Sequence, residues 1–221
     1  MLFLLPLIVA ALAAENGGAG QQELTGQALV DYVRTHQNLF EVEESEKNNE
    51  RMKYLMPVDF IPRPRDEDRI KMVVNRKLPE SFNPLIGDYW AYCKDIIKHI
   101  RDQSRCAKSA YILPNDEAVI RQEILANGPV QAVFNVYEDF RLYRRGIYKH
   151  TAGKKTGSHA VKIYGWGTQQ IRNSTHTIVT PFWFIANSWN VDWGERGYFR
   201  MVRGEDNCGL ESMVTAGLMA T

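Results

Sequence analysis

Cysteine is scarce in this chain. Its 221 residues contain only three, Cys93, Cys106 and Cys208, an odd number that leaves at least one thiol unpaired even in an oxidising compartment and excludes a dense disulfide framework. Charge of one sign is also lacking: 27 Lys and Arg against 26 Asp and Glu give a net charge of +1. Without a basic excess or a long basic run there is no electrostatic footprint for nucleic acid or an anionic membrane, and neither is expected as a partner. Fixed-period repeats and low-complexity tracts are missing, which sets aside solenoids and disordered arrays. No metal and no cofactor is expected. The apolar run from Leu2 to Ala14 falls short of the roughly 20 residues that a membrane-spanning helix needs.

That run suits the centre of a signal peptide, and Ala11, Ala13 and Ala14 offer a cleavage site, so residues 1–14 are expected to be removed, leaving no membrane association. A buried N-terminal helix is the alternative, made less attractive by Pro6 and the following Glu15-Asn-Gly-Gly. A hydrophobic content of 44% over this length suffices for one globular domain with its own core. Residues 15–77 are polar. Within them Ala28, Leu29, Tyr32 and Val33 form an apolar stripe that predicts a helix. The acidic run Glu41 to Glu46 and the alternating charge up to Lys53 read as a solvated face, and Pro57, Pro62 and Pro64 interrupt regular structure. Further on, Asn115 or Asp116 can cap a helix with Ile120 and Ile124 on one face, closed by Asn127-Gly-Pro129. Val130, Ala132, Phe134 and Val136 alternate as a strand.

The stretch from Gly157 to Gly209 carries the chemistry. Val161 and Ile163 alternate with Lys162 and Tyr164, a strand ending at Gly165 with His159 at its mouth. After a turn-rich insertion, Phe182, Phe184 and Ala186 alternate with Trp183 and Ile185, so Asn187 falls at the end of a second strand. Antiparallel neighbours of this kind can bring His159 and Asn187 together. A neutral imidazole handles a proton in a defined tautomer when an acceptor holds one of its nitrogens, and an Asn side-chain oxygen can do this. An isolated histidine on a sheet is more often simply a satisfied structural group. Within the insertion, Asn173-Ser-Thr175 is an N-glycosylation acceptor sequence in a polar loop.

Gly-Ser-His-Ala-Val-Lys-Ile-Tyr-Gly-Trp-Gly at 157 to 167, Ile-Ala-Asn-Ser-Trp-Asn at 185 to 190 and Trp-Gly-Glu-Arg-Gly-Tyr-Phe-Arg at 193 to 200 together resemble the papain family of cysteine peptidases. Arg203-Gly-Glu-Asp-Asn-Cys-Gly-Leu-Glu211 resembles its cathepsin B-like branch. The resemblance runs from about Lys108 to Leu218, with a shorter piece from Leu78 to Cys106. Ser158, where the branch usually has Gly, is a departure. It implies an α+β, papain-like fold and a reaction in which a Cys thiolate attacks a peptide carbonyl, His159 carries the proton and Asn187 orients the ring. By the same likeness Trp189 covers the pair from water, Trp193 shares the cleft, and Gln103 in Ile100-Arg-Asp-Gln103 donates to the oxyanion. Residues 15–77 resemble a propeptide that lies along the cleft and is removed near Lys77, leaving 78–221 as the peptidase domain; a Pro-rich linker is the alternative.

The family pattern then breaks. After its glutamine the family continues Cys-Gly-Ser-Cys-Trp, the second Cys being the nucleophile at the start of a long helix, with His and Asn about 130 to 150 residues further on. Here Gln103 is followed by Ser-Arg-Cys106-Ala-Lys-Ser109-Ala-Tyr111. Cys106 matches the first, structural Cys. By that spacing about 80 to 100 residues are absent, and the expected fold is truncated to mainly the antiparallel, barrel-like half. Ser109 occupies the nucleophile position in an ungapped count, yet Pro114 stops any long helix there and a serine needs its own tuned base. Recruiting Cys106 would require its backbone to move by several residues' length. No nucleophile is therefore expected, and peptide hydrolysis by the family mechanism should fail.

Cys93 and Cys106 are left without the partners that the likeness implies, a bridge between the two remaining open, and Cys208 matches a position that looks unpaired. Where the lost half belonged, either apolar surface is exposed or residues 15–77 are recruited as a cover. Two functional classes follow. One is a cathepsin B-like endopeptidase by descent, inactive as written; the other is a secreted, non-catalytic pseudopeptidase that holds peptides or inhibitors. The implied partners are a peptide or protein substrate or a cystatin-like inhibitor, and the implied location is secreted or lysosomal.

Overall fold

The computed structural model describes residues 24–58, 62–86, 109–172 and 177–218. The signal-peptide run, Cys93, Gln103, Cys106 and Asn173 lie outside the described residues. The N-terminal elements are α1 (Gly26–His36), β1 (Phe40–Val42) and α2 (Glu46–Arg51). Leu29, Val30 and Val33 of α1 are fully buried, whereas Ala28 is exposed and Tyr32 stacks on His36 at the outer face, with centroids 3.8 Å apart. The helix thus turns its branched aliphatic side chains inward, where they remove more apolar area from water than the alanine could. Glu41, Glu43, Glu44 and Glu46 are all exposed, as a solvated face requires, but the run opens within a short strand whose first residue, Phe40, is buried.

The remaining elements are β2 (Ser109–Ile112), α3 (Glu117–Asn127), β3 (Val130–Tyr137), β4 (Tyr143–Tyr148), β5 (Lys155–Arg172), β6 (Thr177–Ala186), β7 (Tyr198–Val202) and β8 (Val214–Leu218). Asp116 caps α3, its carboxylate accepting from Ala118 N and Val119 N, and Gly128 ends it at a φ of 105°, a conformation that glycine adopts without the Cβ penalty. The strands form one sheet in the order β1-β4-β7-β6-β5-β3-β8-β2. Its pairings are antiparallel except β4 with β7. This is the α+β, mainly antiparallel architecture that the resemblance implies. Trp166, Trp183, Trp193, Phe134, Phe140 and Phe199 fill the core.

Two strands run further than their patterns suggest. β5 does not stop at Gly165 but continues with a register shift through to Arg172, and β6 starts at Thr177. The insertion read as turn-rich is therefore mostly a two-stranded arm. β-Branched residues at Ile171, Thr177, Ile178, Val179 and Thr180 favour extended backbone over turns.

Residues between Leu24 and Asn75 are stitched across the sheet. β1 pairs with β4 at one edge, Met56 bridges Ser158 on β5, and Arg69 bridges Ile112 on β2 at the other edge. Arg69 also donates to the carbonyls of Leu113 at 2.8 Å and Ser212 at 2.9 Å, and Asn75 N donates to Gln122 Oε1 at 2.8 Å. Close approach at β5 depends on Gly157, where an added Cβ would lie 2.7 Å from the Met56 carbonyl oxygen.

Candidate functional site

β5 and β6 position the two residues singled out by spacing. His159 lies within β5, paired with Phe134 of β3, while Asn187 follows the last residue of β6. Neighbouring antiparallel strands bring them into contact: His159 Nε2 lies 2.7 Å from Asn187 Oδ1. Ser188 N donates to the same oxygen at 2.7 Å. Two donors converging on one atom identify it as the amide oxygen, so Nε2 carries the hydrogen and the neutral ring keeps its lone pair on Nδ1. Among the described residues none hydrogen-bonds Nδ1. Asn187 is buried and held through its backbone N to the Gly197 carbonyl at 2.9 Å, while its own Nδ2 is buried without a partner.

Aromatic rings fix the imidazole plane. Trp189 lies over it with centroids 4.9 Å apart, and the Phe134 ring meets it edge-on at 6.1 Å. Trp193 is 1% exposed and stands behind Trp189, 5.3 Å from it and packed against Phe140, Tyr143 and Phe199. It supports the site from the core and offers no surface to a ligand. Burial pushes the His159 pKa below its ordinary value, opposed by the Asn187 hydrogen bond, which favours the protonated ring. The result is an imidazole held in one orientation with its charged form disfavoured.

Of the two candidate nucleophiles only Ser109 falls within the described residues, and its strand lies far from His159. Ser109 sits in β2, three strands from β5 and about six positions along the register, which at ordinary strand spacings is a separation on the order of 20 Å. Cys208 is partly buried, and burial together with the nearby Asp139 carboxylate drives its thiol far above the ordinary range. At neutral pH it is not a thiolate.

Two further features stand out, one involving the segment that the resemblance reads as a propeptide, the other a buried group that sequence reasoning missed. One is an extended chain already seated beside His159: Met56 N donates to the Ser158 carbonyl at 3.0 Å and Ser158 N donates back at 2.9 Å. The other is the buried Asp139, which accepts from Tyr148 Oη at 2.6 Å, Thr151 N at 2.6 Å and Ala152 N at 3.1 Å, with His150 Nδ1 at 3.1 Å. The Tyr137-Glu-Asp-Phe140 run gave no periodic signal for it, because its partners come from the end of β4 and the loop that follows.

A family model described as papain family cysteine protease matches residues 91–218. A cathepsin B-like cysteine proteinase 3 of Ostertagia ostertagi is 52% identical over 123 residues, covering 56% of this chain and 66% of that protein. A gut-specific cysteine proteinase of Caenorhabditis elegans is 49% identical over 145 residues, 63% of this chain and 39% of that protein. The chain thus spans between about two fifths and two thirds of the lengths of these relatives. In fold it is similar to procathepsin B S9 from Trypanosoma congolense, with a TM-score of 0.72 at 20% identity, covering 90% of this chain and 99% of that one.

Proposed function

From membership of the papain family of cysteine proteases, to which this chain belongs, we propose that it is a cathepsin B-like homologue that keeps the proton-handling base and its orienter but lacks the nucleophile. The observation that carries this reading is the 2.7 Å contact from His159 Nε2 to Asn187 Oδ1, which leaves Nδ1 as the nitrogen free to take a proton. In a complete site that nitrogen would take the proton of a thiol, and the thiolate would attack a peptide carbonyl. Gln103 would supply the oxyanion donor. Nothing among the described residues supplies the attacking sulfur, and the spacing from Cys106 to His159 leaves no room for the nucleophile-bearing helix.

Residues 1–14 would act as a signal peptide and 15–77 as a propeptide, with 78–221 as the peptidase-like domain, secreted or lysosomal, and with Asn173 as glycan acceptor. A second reading, a pseudopeptidase that holds peptides or cystatin-like inhibitors, is favoured by the reciprocal main-chain bonds between Met56 and Ser158. Through them the strand beside His159 takes up an extended chain by its backbone, as a bound peptide would be taken up.

Hydrolysis of a fluorogenic dipeptide amide by the full chain, before and after cleavage near Lys77, tests the first reading. The expected rate is no higher than that of His159→Ala. Turnover that disappears in both His159→Ala and Cys106→Ala would overturn it, since Cys106 would then be the attacking thiol.

A further inference from the structure

The arm formed by Thr168–Arg172 of β5 and Thr177–Pro181 of β6 extends past the point where the neighbouring strands stop. β7 pairs with β6 only as far as Phe182, opposite Val202, and Arg203 N makes the last bond, to the Pro181 carbonyl at 3.1 Å. That bond fixes the parity of β6: Pro181, Val179 and Thr177 turn their backbone groups toward the outer edge, while Thr180 and Ile178 turn theirs toward β5. Beyond Pro181 no strand among the described residues pairs with this edge. Ile178 is 56% and Val179 57% exposed, and Gln169 at the base of the arm is tied to the body by Arg200 Nη1 at 2.5 Å.

We propose that this edge is a self-association surface and that its partner is the same edge of a second copy of the chain, paired antiparallel about a two-fold axis at Ile178. The outward donors and acceptors of Thr177 and Val179 match themselves in one antiparallel register, with Thr177 opposite Val179 of the second copy, and Val179 opposite its Thr177. The pairing closes through four main-chain hydrogen bonds. Ile178 then meets its own copy on the axis. Thr-Ile-Val-Thr carries no charge, so no like charges oppose each other across the axis. No lysine, proline or inward charge lies between Thr177 and Thr180, and Pro181, which blunts the same edge, stands where Arg203 N already closes it. The opposite edge of the arm ends in Arg172, a guard of that kind. A two-fold pairing uses up the edge it is built on and therefore stops at the dimer. So small a contact belongs to the weak, concentration-dependent class of interface. This inference is independent of whether the site at His159 is catalytic.

Sedimentation velocity of the full chain over a wide concentration range is the test, alongside Val179→Pro and Ile178→Lys. The first variant removes an edge N–H at a position with the same parity as the native Pro181, leaving the ladder to β5 intact; the second places like charges on the axis. For the unsubstituted chain the weight-average mass is expected to rise toward twice the monomer, and both variants should stay monomeric with unchanged circular dichroism. A symmetric crosslink gives an independent measurement. Non-hydrogen-bonded partners approach to about 4.5 Å between Cα atoms, so Ile178→Cys should oxidise to a covalent dimer faster than Gln170→Cys. Monomer at every concentration, growth past the dimer, equal crosslinking of the two cysteine variants, or association only when an extended peptide is added would each overturn the proposal.

Discussion

His159 combines two influences of opposite sign. Burial disfavours its charged form, and the Asn187 contact favours it, with burial the larger. Because the folded pKa lies below the ordinary 6.5, the contribution of this residue to stability is complete above that value and is lost as pH falls through the folded pKa. We expect the urea midpoint of the native chain to fall more than that of His159→Gln between about pH 7.5 and pH 5; parallel curves would contradict the assigned direction. The amide of the variant can still donate to Asn187, so the comparison isolates the titration. This pair is legible in the sequence because both residues sit at fixed places on strands of readable period. Trp193 is less legible. The sequence places it near the cleft, but whether an aromatic faces a ligand or the core depends on Phe140, Tyr143 and Phe199, which are not its neighbours in the chain.

At the scale of elements, α1 and β1 belong to the same core as the sheet. Leu29, Val30 and Val33 are fully buried with Phe134, Phe140 and Trp189 in one cluster. Leu29→Ala should therefore cost about 2–5 kcal/mol, read as a lower urea midpoint at constant slope. Gly146 gives a sharper element-level test. It has a φ of +113°, and an added Cβ would lie 2.4 Å from the Leu39 carbonyl oxygen. Gly146→Ala should thus displace β1 from β4, seen as faster amide exchange from Leu39 to Val42 while β5 and β6 stay protected. The helical periods of α1 and α3 are readable in the sequence alone, since each carries apolar residues at i, i+4 spacing, although Ala28 and Tyr32 of α1 fall outside its buried face. The arm of β5 and β6 is not, because glutamines, threonines and an Asn-Ser-Thr sequence resemble a loop until the two halves pair and satisfy each other's backbones.

For the whole molecule, the question is what holds residues 24–75 to the sheet. Ion pairs line the contact, among them Glu41 with Arg145 at 2.5 Å, Glu43 with Arg144 at 3.5 Å and Arg51 with Asp192 at 2.5 Å. The first two are half or more exposed, and pairs of this kind contribute little and are screened by salt; in the third, Arg51 is mostly buried while Asp192 is exposed. Apolar burial of α1 and the main-chain bridges at Met56 and Arg69 carry the association. After cleavage at Lys77 the two fragments should therefore co-elute even in about 0.5 M salt, and a chain expressed without residues 15–77 should bind more of a dye that reports exposed apolar surface. Separation of the fragments in salt would show that charge, not burial, holds the cover. The sequence by itself determined β3, the inner parts of β5 and β6, the His159 and Asn187 spacing and the family, since these rest on local period and on motifs contiguous in the chain. Only the tertiary structure decided that a polar, proline-interrupted segment covers the sheet, that Ser109 lies far from His159, and that the arm carries an edge with no partner strand among the described residues. Those outcomes depend on which surfaces meet, and contacts between residues distant in sequence leave no periodic trace in either partner.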